Sequence, residues 1–290
     1  MAEAQETIRS QDYEKRKSEE TKLDVVCRGA QIPIVETGLH VFVYLNKEIH
    51  LSADKQQSFF DCVILENKLI FTDIINSRLV IFNEENSDIS YIPVPYKPWG
   101  ITGIRNDAVA ISYPWVHIVQ IVNICTQKVE VQIDSKNECW GLSSYKKRLY
   151  FVSGRILKIV DLMGKYKGKI MLPSDDVSCV KVDDTRLLCT DRETLYCCYL
   201  HGAIFWEFRM DNLAELHGVT VDRHGNVYVA GEWSNNVVAI SPDGTKCRVI
   251  LTTLKGINSP RGIYFDKKEN RLLVSNCNGD KAFVFDAQTL

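Results

Sequence analysis

From about Gly38 onward, apolar and polar residues alternate with a period of two. HVFVYL from His40, LVIFN from Leu79, HIVQIV from His117, VEVQID from Val129, VYVAG from Val227 and AFVFD from Ala282 are rich in Val, Ile and aromatic residues and read as strands. The turns between such runs carry Asn, Asp, Gly, Lys or Pro. No long 3.6-residue period interrupts them. That excludes a parallel α/β fold and leaves a sandwich, a barrel or a propeller.

Internal repetition separates those three. The stretch HGVTVDRHGNVYVAGEWSNNVVAISPDG from His217 and the stretch PRGIYFDKKENRLLVSNCNGDKAFVFD from Pro260 share one frame. Each reads x-Gly-apolar-x-apolar-Asp, a polar turn, apolar-x-apolar, a polar loop and a third strand. The frame also fits segments starting at Trp99 and Trp140, and one at Cys179 in which the cysteine replaces the glycine. A weaker copy starts at Phe59. The marker positions Gly100, Gly141, Cys179, Gly218 and Gly262 recur at intervals of about 40 residues, the length of a four-stranded propeller blade. Six units predict an all-β, six-bladed β-propeller over residues 37–290. Residues 1–36 read as a charged leader, helical or disordered. An open ring exposes sheet edges. The segment ahead of the first unit is therefore expected to supply the outer strand of the last blade. HVFVYL and EIHLS, the latter from Glu48, compete for that slot, and EIHLS lies better relative to the next inner strand.

The repeats resemble the NHL repeat, whose usual form is Pro-x-Gly-apolar-Ala-Val-Asp followed by Gly-Asn-apolar-Tyr-Val. The likeness is strongest in the units beginning at His217 and Pro260, and weakest in the first. The order of features along the chain is similar to the C-terminal propeller of invertebrate tripartite-motif proteins. That resemblance implies the target-recruiting part of a ubiquitin ligase, or an RNA-binding ring. The family's RING and B-box zinc domains need Cys/His spacings that this sequence lacks.

Charge narrows the partners. With 35 Lys and Arg against 37 Asp and Glu, the net charge is −2 and the pI about 6.3. No overall basic field draws the chain to double-stranded DNA or to an anionic membrane. Ten cysteines occur without a single C-x-x-C pair, so a structural zinc site is not expected. The polar N-terminus has no apolar signal core. The expectation is a soluble cytoplasmic protein with reduced, mostly buried thiols.

Propeller geometry sends two loops of every blade to one face, here called the top. They are the loop into the innermost strand and the loop between the second and third strands. The residues just ahead of the markers are Phe59 or Phe60, Trp99, Trp140, Ser178, His217 and Arg261. The second set of loops adds Arg78, Tyr113, Trp115, Arg155, Arg192, Trp233 and Asn278. Four of the five tryptophans thus fall on one face. Tryptophan and arginine together are the usual anchors of a binding surface. Trp99, Trp115, Trp140, Trp233, Tyr113, His217, Arg78, Arg192 and Arg261 are the candidate partner-binding residues. Trp233, in a polar loop, is expected to be the most exposed. For Trp99 and Trp140, packing between blades competes with exposure.

A protein partner is the leading expectation, and single-stranded RNA stacked on the aromatic residues is the alternative. A metal-dependent hydrolase or lyase is the third reading. Against it, the channel mouth offers one histidine, His217, with Glu232 and Asp191 nearby and no third ligand. His217 and His224 sit at opposite ends of one strand and cannot share an ion. No G-x-S-x-G elbow or phosphate loop is present. The sequence therefore predicts no catalytic residue, no metal, no cofactor and no enzyme.

Overall fold

The computed structural model describes residues 38–51 and 56–289. The expected leader, residues 1–36, lies outside them. The described residues form six sheets of four antiparallel strands. One strand precedes the first full blade, β1 (Val41–His50). Blade 1 comprises β2 (Phe59–Leu65), β3 (Lys68–Asp73), β4 (Arg78–Asn83) and β5 (Ile89–Pro93). Blade 2 comprises β6 (Ile101–Arg105), β7 (Ala108–Tyr113), β8 (Ile118–Asn123) and β9 (Lys128–Asp134). Blade 3 holds β10 (Leu142–Tyr145), β11 (Arg148–Ser153), β12 (Ile156–Asp161) and β13 (Tyr166–Met171). Blade 4 holds β14 (Cys179–Val182), β15 (Arg186–Thr190), β16 (Leu195–Tyr199) and β17 (Ile204–Phe208). In blade 5 are β18 (Leu216–Val221), β19 (Val227–Gly231), β20 (Asn236–Ile240) and β21 (Cys247–Leu251). Blade 6 is made of β22 (Pro260–Asp266), β23 (Arg271–Asn276) and β24 (Lys281–Thr289), with β1 as its outer strand.

The ring closes as expected, but by a longer strand. HVFVYL and most of EIHLS are not rivals. They form the single strand β1, paired with β24 from Val41 opposite Thr289 to His50 opposite Lys281. A bulge between Leu45 and Lys47 resolves the competition. A bulge turns the alternation of side chains over. Ahead of it, Val41 and Val43 pack with Tyr228 and Ala230 of blade 5. After it, Ile49, with Leu51 just beyond the strand, packs with Phe59 and Phe71 of blade 1. One strand thereby seals blade 6 to both neighbours.

The core is not central. Six apolar clusters lie among the described residues, one between each pair of adjacent blades. Each is built from the alternate residues that face a neighbouring sheet, which is why the period of two is so clean. Of the nine free cysteines among the described residues, only Cys125 is exposed.

The marker glycines stand where innermost strands converge. A Cβ on Gly218 would lie 2.5 Å from the carbonyl oxygen of Arg261, and one on Gly141 would lie 2.7 Å from that of Ser178. Only a residue without a side chain fits such an approach. A second repeated device joins the blades. A hydroxyl near the end of the second strand donates to the carbonyl of the residue ahead of the next marker. Thr72 bonds Trp99 O at 3.0 Å, Ser112 bonds Trp140 O at 2.7 Å and Thr190 bonds His217 O at 2.7 Å. These bonds fix the backbone of the residues that crown the ring.

Candidate functional site

The top of the central channel is built from residues ahead of the markers. In blade 1 that residue is Phe60. Phe59 is fully buried in the core between blades 6 and 1. Phe60 packs edge-on to Trp99 at 4.5 Å between ring centroids. Trp99 meets Trp140 at 4.9 Å and Trp115 at 5.6 Å, and Trp115 meets Trp140 at 5.9 Å, all nearly perpendicular. Edge-to-face contacts of this kind are the favoured aromatic geometry. Three tryptophans and one phenylalanine, drawn from blades 1 to 3, thus form one crown. The Trp140 indole N–H is also anchored, to Glu138 at 3.2 Å.

The opposite half of the mouth is charged. Arg261 lies over Phe60, 3.7 Å from its centroid, and 4.9 Å from that of Trp99. Its Nη1 is 3.4 Å from Glu232 Oε2, and His217 Nε2 approaches the same oxygen to 2.8 Å. That histidine nitrogen is buried and has no aligned hydrogen bond. The three side chains are only 11–12% exposed. Burial, reinforced by Arg261, pushes His217 down to about 4, so the imidazole is neutral at pH 7. Burial alone would raise Glu232, but Arg261 and His217 outweigh it and hold the carboxylate ionised. The result is one buried carboxylate–guanidinium pair with a neutral imidazole beside it.

Beneath the mouth the channel narrows to a cavity of about 20 Å³, lined by Phe60, Asp61, Ser178, Cys179, His217 and Arg261 among others. That is room for about one water. Asp61 occupies the marker position of blade 1, where four other blades carry glycine. Its carboxylate accepts N–H bonds from Cys62 at 2.8 Å and from Ile101 of blade 2 at 2.9 Å. Burial nonetheless raises its carboxyl to about 7. Burial likewise pushes the Cys179 thiol up to about 12, so it remains protonated.

The structure brings together Trp99, Trp115, Trp140 and Arg261, with His217 beside them. It reverses the expected order of exposure. Trp115 is the open one, at 52%, and Trp233 is half-buried. The Trp233 loop looked free because it is polar, but Glu232 N bonds Glu215 O at 3.0 Å and Ser234 Oγ accepts from Ala214 N at 3.1 Å. Tyr113 is fully buried beneath Tyr96 and cannot form the outer surface expected of it. Arg78 turns away to the buried Asp73, at 2.9 Å, and lies over Tyr91 of the outer strand β5. Arg192 remains exposed. Asp61, Ser58 and Cys277 went unnoticed in the sequence. Asp61 had a legible signal, a carboxylate in a glycine slot. Ser58 and Cys277, 3.3 Å apart across the ring closure, had none. Among the described residues, no group of three or more His, Cys, Asp or Glu side chains could hold a metal ion. No helix among them is long and apolar enough to cross a membrane.

No protein-family model and no curated protein matches the sequence. Solved structures do match the shape. Virginiamycin B lyase from Staphylococcus aureus is 14% identical, with a TM-score of 0.62 over 86% of this chain and 99% of the lyase. A streptogramin B lyase is 12% identical, with a TM-score of 0.60 over 87% of this chain and 100% of that one. A protein of unknown function from Bacteroides thetaiotaomicron is 13% identical, with a TM-score of 0.64 over 92% of this chain and 77% of its own. At such identities the likeness concerns the fold. It still corrects one expectation. The sequence predicted that this chain is not an enzyme, yet rings of this shape include lyases, so the fold gives no ground for that exclusion.

Proposed function

We propose that this ring is a recognition module that engages a protein partner through the aromatic crown. The observation that supports it best is the joining of Trp99, Trp115 and Trp140 into one cluster while Trp115 stays half exposed. Exposing so much apolar surface is unfavourable unless something covers it. Rigid aromatic anchors give contact area at small entropic cost. In the tripartite-motif arrangement that the repeats resemble, such a ring recruits the ligase target. That part of the reading rests on the resemblance of the repeats. Single-stranded RNA is the competing ligand for the same rings. Arg78 is paired with Asp73 and Arg261 with Glu232, which withdraws two of the expected cations from phosphates and favours protein.

Affinity capture from cell extract with wild type, Trp115→Ala and Lys268→Ala tests this. Lys268 lies in a turn at the other end of a blade. A partner lost with Trp115→Ala and kept with Lys268→Ala is the expected result. An unchanged partner set with Trp115→Ala would sink the proposal. Recovery of RNA in a salt-sensitive way would replace protein by nucleic acid.

A second reading attaches to the pairing of His217 with Glu232 at the channel mouth, two buried titratable side chains with perturbed protonation. It draws on the lyases of similar fold. Under it, His217→Ala abolishes any lyase or hydrolase turnover while Trp115→Ala spares it.

A further inference from the structure

Outside the crown, on the far side of Trp115, a groove of about 330 Å³ separates the top loops of blades 1 and 2. Its lining is Ser77, Pro95, Tyr96, Lys97, Tyr113, Trp115 and Val116. The size falls at the lower end of ligand-binding clefts. Tyr96, Trp115 and Val116 are 40%, 52% and 39% exposed, so the groove presents two aromatic rings and an aliphatic side chain to solvent.

One of its polar groups is out of balance. Tyr113 lines the groove, is fully buried, and its hydroxyl has no hydrogen-bond partner. An unpaired buried hydroxyl is costly, of the order of 1–3 kcal/mol. Burial also raises its phenol well above the usual range, so it keeps its proton and can donate. Tyr96 packs edge-on to it at 5.7 Å and offers no acceptor bond. Lys97 lies at the same groove and pairs with no carboxylate among the described residues. The side-chain polar groups lining the groove are hydroxyls, an indole N–H and an ammonium. All can donate, and none is a carboxylate.

Both walls are stiff. Val94-Pro95-Tyr96-Lys97-Pro98 carries two prolines, and Val94 N is tied to Ser77 O at 2.9 Å. The other wall is a single 3-10 turn, Pro114–Val116. The walls are preformed, so little entropy is lost on binding beyond a shift of the Tyr96 ring that uncovers the Tyr113 hydroxyl.

We propose that this groove holds an extended, proline-containing peptide with an acidic residue beside the proline. The proline ring packs between Tyr96 and Trp115. A tertiary amide carbonyl accepts from the Tyr113 hydroxyl. The carboxylate meets Lys97. The chemistry fits because an X-Pro amide has an acceptor and no N–H, matching a groove of donors. Proline-rich segments also arrive preordered and suit aromatic-lined grooves. The inference rests on the reading of the top face as a protein-binding surface and names the segment it takes.

The probe is acetyl-Ala-Pro-Pro-Glu-Pro-Ala-amide, titrated into the purified chain and followed by tryptophan fluorescence and calorimetry. Two control peptides replace all prolines by Ala, or Glu by Lys. The parent peptide is expected to bind at least tenfold tighter than either control. Tyr113→Phe deletes the unpaired oxygen alone; it should keep or raise the melting temperature and weaken the parent peptide about tenfold. Lys97→Glu should reverse the preference between the Glu and Lys peptides. Equal affinity for the proline-free control, or no loss with Tyr113→Phe, overturns the proposal. So does tight binding of acetyl-proline methylamide equal to that of the hexapeptide, which would mark a small-molecule site. If Trp115→Ala still costs the captured partner while no peptide binds, the groove proposal fails and the broader reading survives. If the captured partner is indifferent to Trp115→Ala, the broader reading fails first.

Discussion

Arg261 of blade 6 lies over the ring of Phe60 in blade 1, with 3.7 Å from guanidinium carbon to ring centroid. The contact spans the closure of the ring and sits directly at the channel mouth. Glu232 of blade 5 holds the same arginine from the other side. Three blades are thus tied through one cation.

Removing that cation should be expensive. Arg261→Ala strands Glu232 as a buried charge and is expected to lower stability by about 3 kcal/mol. Pairing it with Glu232→Gln should recover part of the loss, because the uncompensated charge goes too. Urea denaturation of both singles and the double mutant measures this. Strictly additive losses would show that the two side chains are not coupled.

The hydroxyl latches make a local prediction. Ser112 Oγ accepts from Gly100 N at 2.9 Å and donates to Trp140 O at 2.7 Å. Ser112→Ala is expected to cost about 2 kcal/mol by leaving both groups unpaired. It should also shift the tryptophan emission, since Trp99 and Trp140 flank the lost bonds. Ser112→Thr keeps the hydroxyl and should restore the emission if the bonds, rather than packing, are responsible.

Two glycines should behave differently. Gly218→Ala drives a Cβ to 2.5 Å from the Arg261 carbonyl and is expected to cost about 3 kcal/mol or to prevent folding. Gly154 has φ +58° and open space around its Cβ position. Gly154→Ala should cost only the left-handed strain, about 1 kcal/mol. Comparable melting temperatures for the two variants would contradict the crowding at the centre.

Asp61 gives a pH prediction. Its carboxyl is raised to about 7 by burial, whereas in the unfolded chain it titrates near 4, at about 3.9. Between those values the folded ring holds a proton that the unfolded chain has released. The stability from this group is therefore full near pH 4 and is lost as pH rises through 7. Asp61→Asn has no such titration. Its melting temperature relative to wild type should rise between pH 5 and pH 8. His217, lowered to about 4, acts oppositely and weakens the fold as pH falls from 6.5 towards 4. It is present in both proteins and leaves the difference between them unchanged. A difference that stays flat with pH would show Asp61 ionised throughout.

The blade count, the strand periodicity and the closing role of the N-terminal segment were all legible in the chain. The Ser and Thr latches at Thr72, Ser112 and Thr190 were not singled out in the sequence, because their bonds reach the backbone of the neighbouring blade. The site was legible in part. The marker spacing predicted Trp99, Trp140, His217 and Arg261 on one rim; Trp99, His217 and Arg261 line one narrow cavity, and Trp140 packs on Trp99. It could not order the exposure of the tryptophans, because Trp233 belongs to a loop fixed through backbone bonds that no side-chain pattern encodes.

What the sequence determined by itself is the repeat. A period of two within strands and a period of about 40 residues along the chain force six sheets, because each must bury both faces against copies of itself. Only the tertiary structure decided how individual side chains resolve at the centre. There, residues from different blades meet at 3.7 to 4.9 Å, and their neighbours are distant in sequence. It made Arg78 a partner of Asp73, turned Tyr113 into a buried unpaired hydroxyl and let one bulge convert two competing segments into a single closing strand. Alternation follows from local geometry, but packing across a ring depends on which blades become neighbours.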